Sequence, residues 1–259
     1  MFLNGIEAWA PHLSEDRLGT LTEATLRISI SHHTARRVKA AHPQIGTILP
    51  CPLGLLDQEA PSGKPDDEVL ARIRPESVLI VGRMSGSERY KGHDELLECW
   101  GMVRAQIPNA QLVVVGGGDD SQRLAAKASE LGIQGSVLFA GFVADSTLAE
   151  IWKRVRVFAM PSLGEGFGLV YLEAMRASLP CIGSTEDAAG DIIVDGQTGF
   201  LVDRASADRL SSAIVRLIEN ADLSRSLGAA GRKIFEAEFT YDRYVARLGP
   251  ILQSAFTKS

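Results

Sequence analysis

Cysteine is scarce in this chain. Cys51, Cys99 and Cys181 are far apart, odd in number and in no metal-ligand spacing. That argues against a disulfide-built secreted domain and a thiolate metal site; it fits a reduced cytosol, with all three as small buried residues. No apolar run approaches the roughly 18 residues of a membrane-spanning helix. The start, Met1-Phe2-Leu3-Asn4-Gly5-Ile6-Glu7, lacks the basic n-region and long apolar h-region of a signal peptide. There is no basic excess: 27 Lys and Arg stand against 32 Asp and Glu, a net charge of −5. Nucleic acid and anionic membrane are therefore poor default partners. Also absent are a G-x-G-x-x-G fingerprint, a G-K-[ST] phosphate loop and an Asp-x-Asp pair to hold a divalent ion. His32 and His33 are adjacent, but neighbouring side chains diverge and no further ligand cluster lies nearby, so they are not read as a metal site.

What is present is ordinary for a soluble globular protein: 45% apolar and 23% charged residues in 259, room for one large or two smaller domains. Residues 1–58 hold a strand at Leu26–Ser31, a short helix opening at His32-His33-Thr34 with Arg36, Arg37 and Lys39 exposed, and a short strand at Gly46–Pro50. These elements are too few to close a core of their own. The Pro, Ser, Gly, Lys and Asp composition from Glu59 reads as a linker, taken as residues 59–74. Beyond it, apolar runs at Val78–Val81, Leu112–Val115, Val137–Phe139, Val155–Met160 and Pro180–Ile182 alternate with helix-period segments. Those segments are His93–Gln106, Ser121–Leu131, Ser146–Arg154 and Gly168–Ala177. Continuous rather than alternating apolar strands between helices predict an α/β fold whose parallel sheet is covered on both faces. Ala207–Asn220, Leu223–Glu238 and Tyr241–Phe256 add helices.

Glycines follow four of these strands. Gly82-Arg83 follows the first, Gly116-Gly117-Gly118 the second, Gly141-Phe142-Val143 the third and Gly164–Gly168 the fourth. In an open parallel sheet the loops at the strands' carboxyl ends share one edge, where ligands bind. Arg83 and Lys91 bracket the first loop and point to an anion, the one as a fork and the other as a point charge.

The fourth loop, Pro161-Ser162-Leu163-Gly164-Glu165-Gly166-Phe167-Gly168, leads straight into a helix containing Leu169, Val170 and Glu173. Its glycines permit a sharp bend and leave the amides of Phe167, Gly168 and Leu169 without side-chain cover at a helix start, a natural phosphate site. Along a continuous helix Glu165 and Glu173 would lie about 12 Å apart and roughly 80° off one face. With Glu165 in the loop they can instead line two sides of one ligand, which suggests hydroxyl-binding carboxylates rather than a proton-shuttling pair. Lys91 and Arg83 opposite that helix start make a diphosphate the natural anion.

These pieces together resemble the C-terminal part of a retaining GT-B glycosyltransferase of the family 4 (group 1) type. The resemblance rests on Glu165-x7-Glu173 within Pro161–Met175, Gly82-Arg83 with Tyr90-Lys91-Gly92, and Val115-Gly116-Gly117-Gly118. Gly141-Phe142-Val143 and Asp195-Gly196-x-x-Gly199-Phe200-Leu201-Val202 complete it, and it covers about residues 25 to 257. It implies a Rossmann-like doubly wound sheet, with residues 75–240 as the nucleotide-sugar domain and 241–259 a helix packing back toward the N-terminal domain. It implies that Arg83 and Lys91 contact the diphosphate, and that Glu165, beside the backbone of Gly166, Phe167 and Gly168, binds sugar hydroxyls. Leu169 and Val170 amides would touch phosphate, Glu173 the ribose and the Val143 backbone the base, with Gly82, Gly116 and Gly117 in the donor-binding loops. No cofactor or metal is implied beyond the nucleoside-diphosphate sugar, linked to UDP, GDP or ADP. The acceptor would be a glycan or lipid-linked glycan and the location cytoplasmic, including the inner membrane face. Most of the family's first domain has no counterpart, and His12, His32 and His33 do not replace its donor-side histidine by motif position. The expectation is a chain inactive alone. The alternatives are a non-catalytic nucleotide-sugar-binding module or one part of a split enzyme; a nucleotide-sugar epimerase is disfavoured by the Arg83, Lys91 and Glu165-x7-Glu173 set. Peripheral membrane association would run through the N-terminal half.

Overall fold

Val, Ile and Leu in unbroken runs can be satisfied only where both faces of a strand are covered. In the computed structural model, which describes residues 1–10, 13–57, 61 and 63–256, these runs form the middle of a parallel sheet. The chain begins with β1 (Phe2–Leu3), α1 (Ile6–Trp9), α2 (Glu15–Glu23), β2 (Ile28–Ser29), α3 (His32–Ala41), β3 (Leu49–Pro50) and α4 (Asp67–Ala71). It continues through β4 (Ser77–Val81), α5 (His93–Gln106), β5 (Gln111–Val115), α6 (Ser121–Glu130), β6 (Val137–Gly141), α7 (Asp145–Arg154), β7 (Val157–Met160) and α8 (Leu169–Arg176). It ends with β8 (Cys181–Ser184), β9 (Gly199–Val202), α9 (Ala207–Glu219), α10 (Ala221–Glu238) and α11 (Tyr241–Phe256).

The main sheet has the order β6-β5-β4-β7-β8-β9, every neighbour parallel. The chain therefore winds outward from β4 through β5 and β6, returns to place β7 against the other side of β4, and winds outward again. Val78, Leu79, Ile80, Val157, Phe158 and Ala159, on the two central strands, are fully buried. Trp100 of α5 is buried beneath them and donates its indole N–H to Ser136 Oγ at 3.2 Å, which satisfies the polar end of a large apolar side chain.

Several boundaries differ from the sequence expectation. The strand foreseen over Val155–Met160 begins at Val157, because the Val155 N–H still closes the last turn of α7 onto the Ile151 carbonyl. A sixth strand, β9, was not foreseen; its four residues follow a turn in which Gly196 N donates to Gly199 O at 2.9 Å. Within the stretch read as a linker lies α4, started by Asp66, whose carboxylate accepts from the amides of Glu68 and Val69. An aspartate in a loop-like composition thus acts as an N-cap. Residues before β4 also gather a small core that was not expected. β1-β2-β3 form a parallel three-stranded sheet, and Leu3, Ala8, Trp9, Leu21, Val38 and Ile45 cluster on it. The unforeseen α1 and α2 supply three of those side chains. The C-terminal α11 reaches back to this part of the chain through Arg247, which donates to the Pro52 carbonyl at 2.8 Å.

The loop after β4 is stapled from outside. Asp119 accepts from the Gly86 amide at 3.0 Å, and the Asp120 amide donates to Met84 O at 2.9 Å. The buried Asp120 carboxylate accepts from Arg89 of the same loop at 2.9 Å. Arg123 of α6 grips that carboxylate and also the Asp94 carboxylate of α5 through two bonds, at 2.8 and 2.7 Å. Hydrogen bonds from Arg123 hold both Asp94 and Asp120 below the ordinary carboxylate value of 3.8. A depressed folded-state value means stability that is present above the ordinary value and is lost as pH falls below it. The thermal midpoint is expected to drop as pH is taken from about 5 to about 2. Arg123→Ala is expected to lower the midpoint at neutral pH and to make that acid-induced drop shallower; a parallel drop would place the acid lability elsewhere.

Candidate functional site

The winding reverses between β4 and β7, so the loops leaving their carboxyl ends diverge and open a crevice. One wall is the loop ending in Lys91; the other is the turn Pro161–Gly168. The turn owes its shape to two close approaches. Gly168 adopts φ +94°, and a β-carbon there would stand 2.5 Å from the Tyr171 ring. At Gly166 a β-carbon would fall 2.6 Å from the Asn4 carbonyl oxygen. Gly168 caps α8 with no side-chain hydrogen bond to the first helical amides, which leaves the positive end of the helix open toward the crevice.

Four contacts hold the turn and the strand end beneath it. Ser31, the N-cap of α3, donates its hydroxyl to the Gly166 carbonyl at 2.6 Å, and Thr34 does so at 3.0 Å. Phe167 is buried and meets Phe239 edge-on, with centroids 6.2 Å apart. Beneath it the buried Tyr171 donates its hydroxyl to the Met160 carbonyl. The turn is thus fixed by both sheets.

The crevice is a cavity of about 340 Å³. Lys91, Glu165, Phe167, Gly168, Leu169, Val170 and Glu173 line it, together with Val81, Met160, Asn4, Ile30 and Leu53. Lys91 Nζ lies 3.4 Å from Glu165 Oε2, both side chains about four-fifths buried or more (16% and 22% exposed). Lys91 also lies over the Tyr90 ring at 5.5 Å. Burial raises the Glu173 carboxyl above its ordinary value. Behind Lys91, burial and then the Lys91 charge lower the His93 imidazole to about 4, so it is neutral; its buried Nε2 has no hydrogen-bond partner among the described residues. The arrangement offers a cation, an open helix start and two carboxylates around one small space. It can hold an anion on one side and hydroxyl groups on the other.

The other expected residues lie outside this cavity. Arg83 is 77% exposed and paired with Glu88 of its own loop rather than turned into the crevice. Gly82, Gly116 and Gly117 extend the sheet's ladder: Gly82 N donates to Val115 O at 3.0 Å, Gly116 N to Gly141 O at 2.8 Å and Met84 N to Gly117 O at 3.0 Å. Val143 packs on the main core, next to an exposed Phe142. Gly166 supports the turn by its backbone rather than lining the cavity. His12 lies outside the described residues. His33 meets Trp9 edge-on at 5.7 Å, and its amide donates to Asp191 at 2.7 Å. Asn4, Ile30 and Leu53 were not anticipated; they reach the cavity through the pairing of β1, β2 and β3, which no local pattern reveals. A larger concavity, about 670 Å³, lies along α3. Its two cations are engaged, Arg36 with Asp191 and Lys39 with the Pro43 and Ile45 carbonyls, so it presents no convergent set of free polar groups.

Residues 67–234 match the family described as Glycosyl transferases group 1. The GDP-mannose-dependent alpha-(1-6)-phosphatidylinositol monomannoside mannosyltransferase of Mycobacterium tuberculosis is 30% identical over 232 residues, 86% of this chain and 60% of that protein. The D-inositol 3-phosphate glycosyltransferase of Stackebrandtia nassauensis is 32% identical over 189 residues, 68% of this chain and 42% of that protein. Sucrose-phosphate synthase from Thermosynechococcus elongatus superposes with a TM-score of 0.78 at 27% identity, over 95% of this chain and 63% of that one. HepE of Anabaena, in complex with UDP-glucose, superposes with a TM-score of 0.78 at 18% identity, over 98% and 71%, a likeness of fold. The chain spans 60% of the length of the M. tuberculosis relative. Its doubly wound sheet is the Rossmann-like sheet of the GT-B fold, and the chain belongs to the glycosyl transferases group 1 family.

Proposed function

We propose that this chain binds a nucleoside-diphosphate sugar, and that the whole protein transfers the sugar to a glycan or lipid-linked acceptor with retention of anomeric configuration. The observation that carries the reading is the Lys91–Glu165 pair beside the open start of α8. In this reading the diphosphate lies on the amides of Leu169 and Val170 and takes Lys91 as counter-ion. Glu165 accepts hydrogen bonds from sugar hydroxyls beside the Gly166–Gly168 backbone. Glu173 accepts from the ribose, and the Val143 backbone meets the base. Arg83 joins the phosphate only after leaving Glu88. Charge that builds on the departing diphosphate is stabilised by Lys91 and the helix dipole, with no reorganisation needed at the moment of reaction.

The M. tuberculosis relative is named GDP-mannose-dependent, so GDP-mannose is the first donor to test, with UDP-glucose beside it. The same name specifies a phosphatidylinositol monomannoside acceptor; an acceptor of that kind would bring this protein to a membrane surface. Among the described residues no helix is long and apolar enough to cross a membrane.

Calorimetric titration with GDP, UDP and ADP, and with GDP-mannose and UDP-glucose, tests the reading. One nucleotide is expected to bind. Lys91→Ala is expected to weaken that binding by about 1–3 kcal/mol, the worth of a lost charge-assisted contact; equal affinity would remove Lys91 from the phosphate site. Because Glu165 pairs with Lys91, Glu165→Ala is expected to leave bare nucleotide binding unchanged or tighter while abolishing the extra affinity of the intact sugar nucleotide. Equal losses for both ligands would mean that Glu165 does not touch the sugar.

A further inference from the structure

Behind the Glu165 turn lies a carboxyl that the proposed function does not use. Asp187 precedes the 3₁₀ turn Ala188–Asp191 and is 4% exposed. One of its oxygens accepts from the Ala189 amide at 2.9 Å; the other, Oδ2, is buried with no hydrogen-bond partner among the described residues. The next residue, Ala188, donates its amide to the Glu165 carbonyl at 3.2 Å. Ser162, whose Oγ accepts from the Gly164 amide at 3.3 Å, stands close enough to interact with the Asp187 carboxyl. The segment carrying Asp187 is therefore tied to the turn at Glu165, and Asp187 itself sits against that turn at Ser162.

An ionised carboxylate in this place would carry a buried, unsatisfied oxygen, which is costly unless the group takes up a proton. The ionisable groups facing it are Glu165 on the turn and Tyr171 on α8. Asp191, on the same 3₁₀ turn, faces α3 instead, where it accepts from the His33 amide and pairs with Arg36. Lys91, the cation lining the cavity, is taken by Glu165. No cation among the described residues pairs with Asp187. Burial first, and then the Glu165 charge, push the Asp187 carboxyl up to about 7 from an ordinary 3.8, against the pull of the Ala189 amide, Ser162 and the Glu165 backbone amide.

We propose that Asp187 is a positioning residue for the donor site: as the neutral acid it holds the Glu165 turn in place and leaves Glu165 the one anion facing Lys91. The part concerning the donor rests on the function proposed above. When Asp187 releases its proton to solvent, a second negative charge stands behind Glu165 and disturbs the turn that carries the sugar-binding carboxylate.

The test uses Asp187→Asn, which keeps the shape and a donor but cannot ionise. For the wild-type chain, the affinity of GDP-mannose relative to GDP is expected to fall about tenfold between about pH 6 and about pH 8.5, the worth of roughly one pKa unit of interaction. In Asp187→Asn the ratio is expected to stay flat; a wild-type profile in the variant overturns the proposal. Thermal midpoints test the proton without any ligand. A raised folded-state value means stability that is fully present below the ordinary value of 3.8 and is lost as pH rises to about 7. The wild-type midpoint minus the Asp187→Asn midpoint should decline across that window and be level above it; a constant difference overturns the proposal. Should neither protein bind any of the nucleotides, the donor reading fails, while the thermal profile still decides whether Asp187 is protonated. Should Asp187→Asn not fold, Glu165→Gln removes the neighbouring charge and is expected to move the upper end of the thermal window to lower pH. An unmoved window would sink the coupling between the two carboxyls.

Discussion

The ion pair between Lys91 and Glu165 spans 74 positions of sequence in 3.4 Å. It exists because β4 and β7 are neighbours although two strand–helix units lie between them in the chain. That reversal of winding is the constraint on which the rest depends. Right-handed crossovers put α5 and α8 on opposite faces of the sheet, so the loops that start them separate at the carboxyl edge and leave a gap there. A cation on one loop and a carboxylate on the other face across the gap, with the start of α8 as its floor. The cation is 74 positions from the carboxylate, which leads straight into the helix start, and both walls are delivered by ordinary βα connections.

The gap is closed on a third side by the residues before β4. Ser31 serves twice, accepting from the Thr34 amide at 2.8 Å as the cap of α3 and donating to the Gly166 carbonyl. With Thr34 it fills the lone pairs of a carbonyl that the glycine turn would otherwise bury unsatisfied. The same approach places Asn4 over Gly166 and brings Ile30 and Leu53 to the cavity wall. The N-terminal sheet is small, with two residues per strand, and draws part of its stability from this docking. Ile30 belongs to the main core rather than to the small cluster beside it. Shape on this side of the cavity is therefore a joint property of the two sheets.

How much of this was legible follows from range. His93–Gln106 and Tyr241–Phe256 could be bounded to the residue, because apolar period and breakers are local signals. The glycine turn with Glu165 and Glu173 was legible for the same reason, since its backbone demands are written in adjacent residues. β9 was not; a four-residue strand is too short to show a period, and it is a strand only because β8 lies beside it. Asn4, Ile30 and Leu53 were hidden because their place depends on strand register between distant segments. Asp187 was hidden because nothing in its neighbourhood distinguishes a buried capping aspartate from one in a solvated loop. Its burial is set by α8 and the turn above it, and burial sets its protonation.

Arg83 shows a different limit. As residue types, Arg83 and Lys91 were equivalent candidates for an anion, yet the fold treats them unequally. Lys91 is confined at 16% exposure, with its stem against Gly82 and its amine on the cavity. Arg83 is 77% exposed, held by a carboxylate five residues along its own loop. Water screens the Arg83 end of the pair, while the Glu88 carboxylate is 16% exposed and would lose its partner if Arg83 turned away. At Lys91 the pair stands at a cavity wall with both side chains mostly buried, where charges are screened less. Two cations that look alike as residue types thus differ in the fold: one borders the cavity and the other lies on the outer face of its loop.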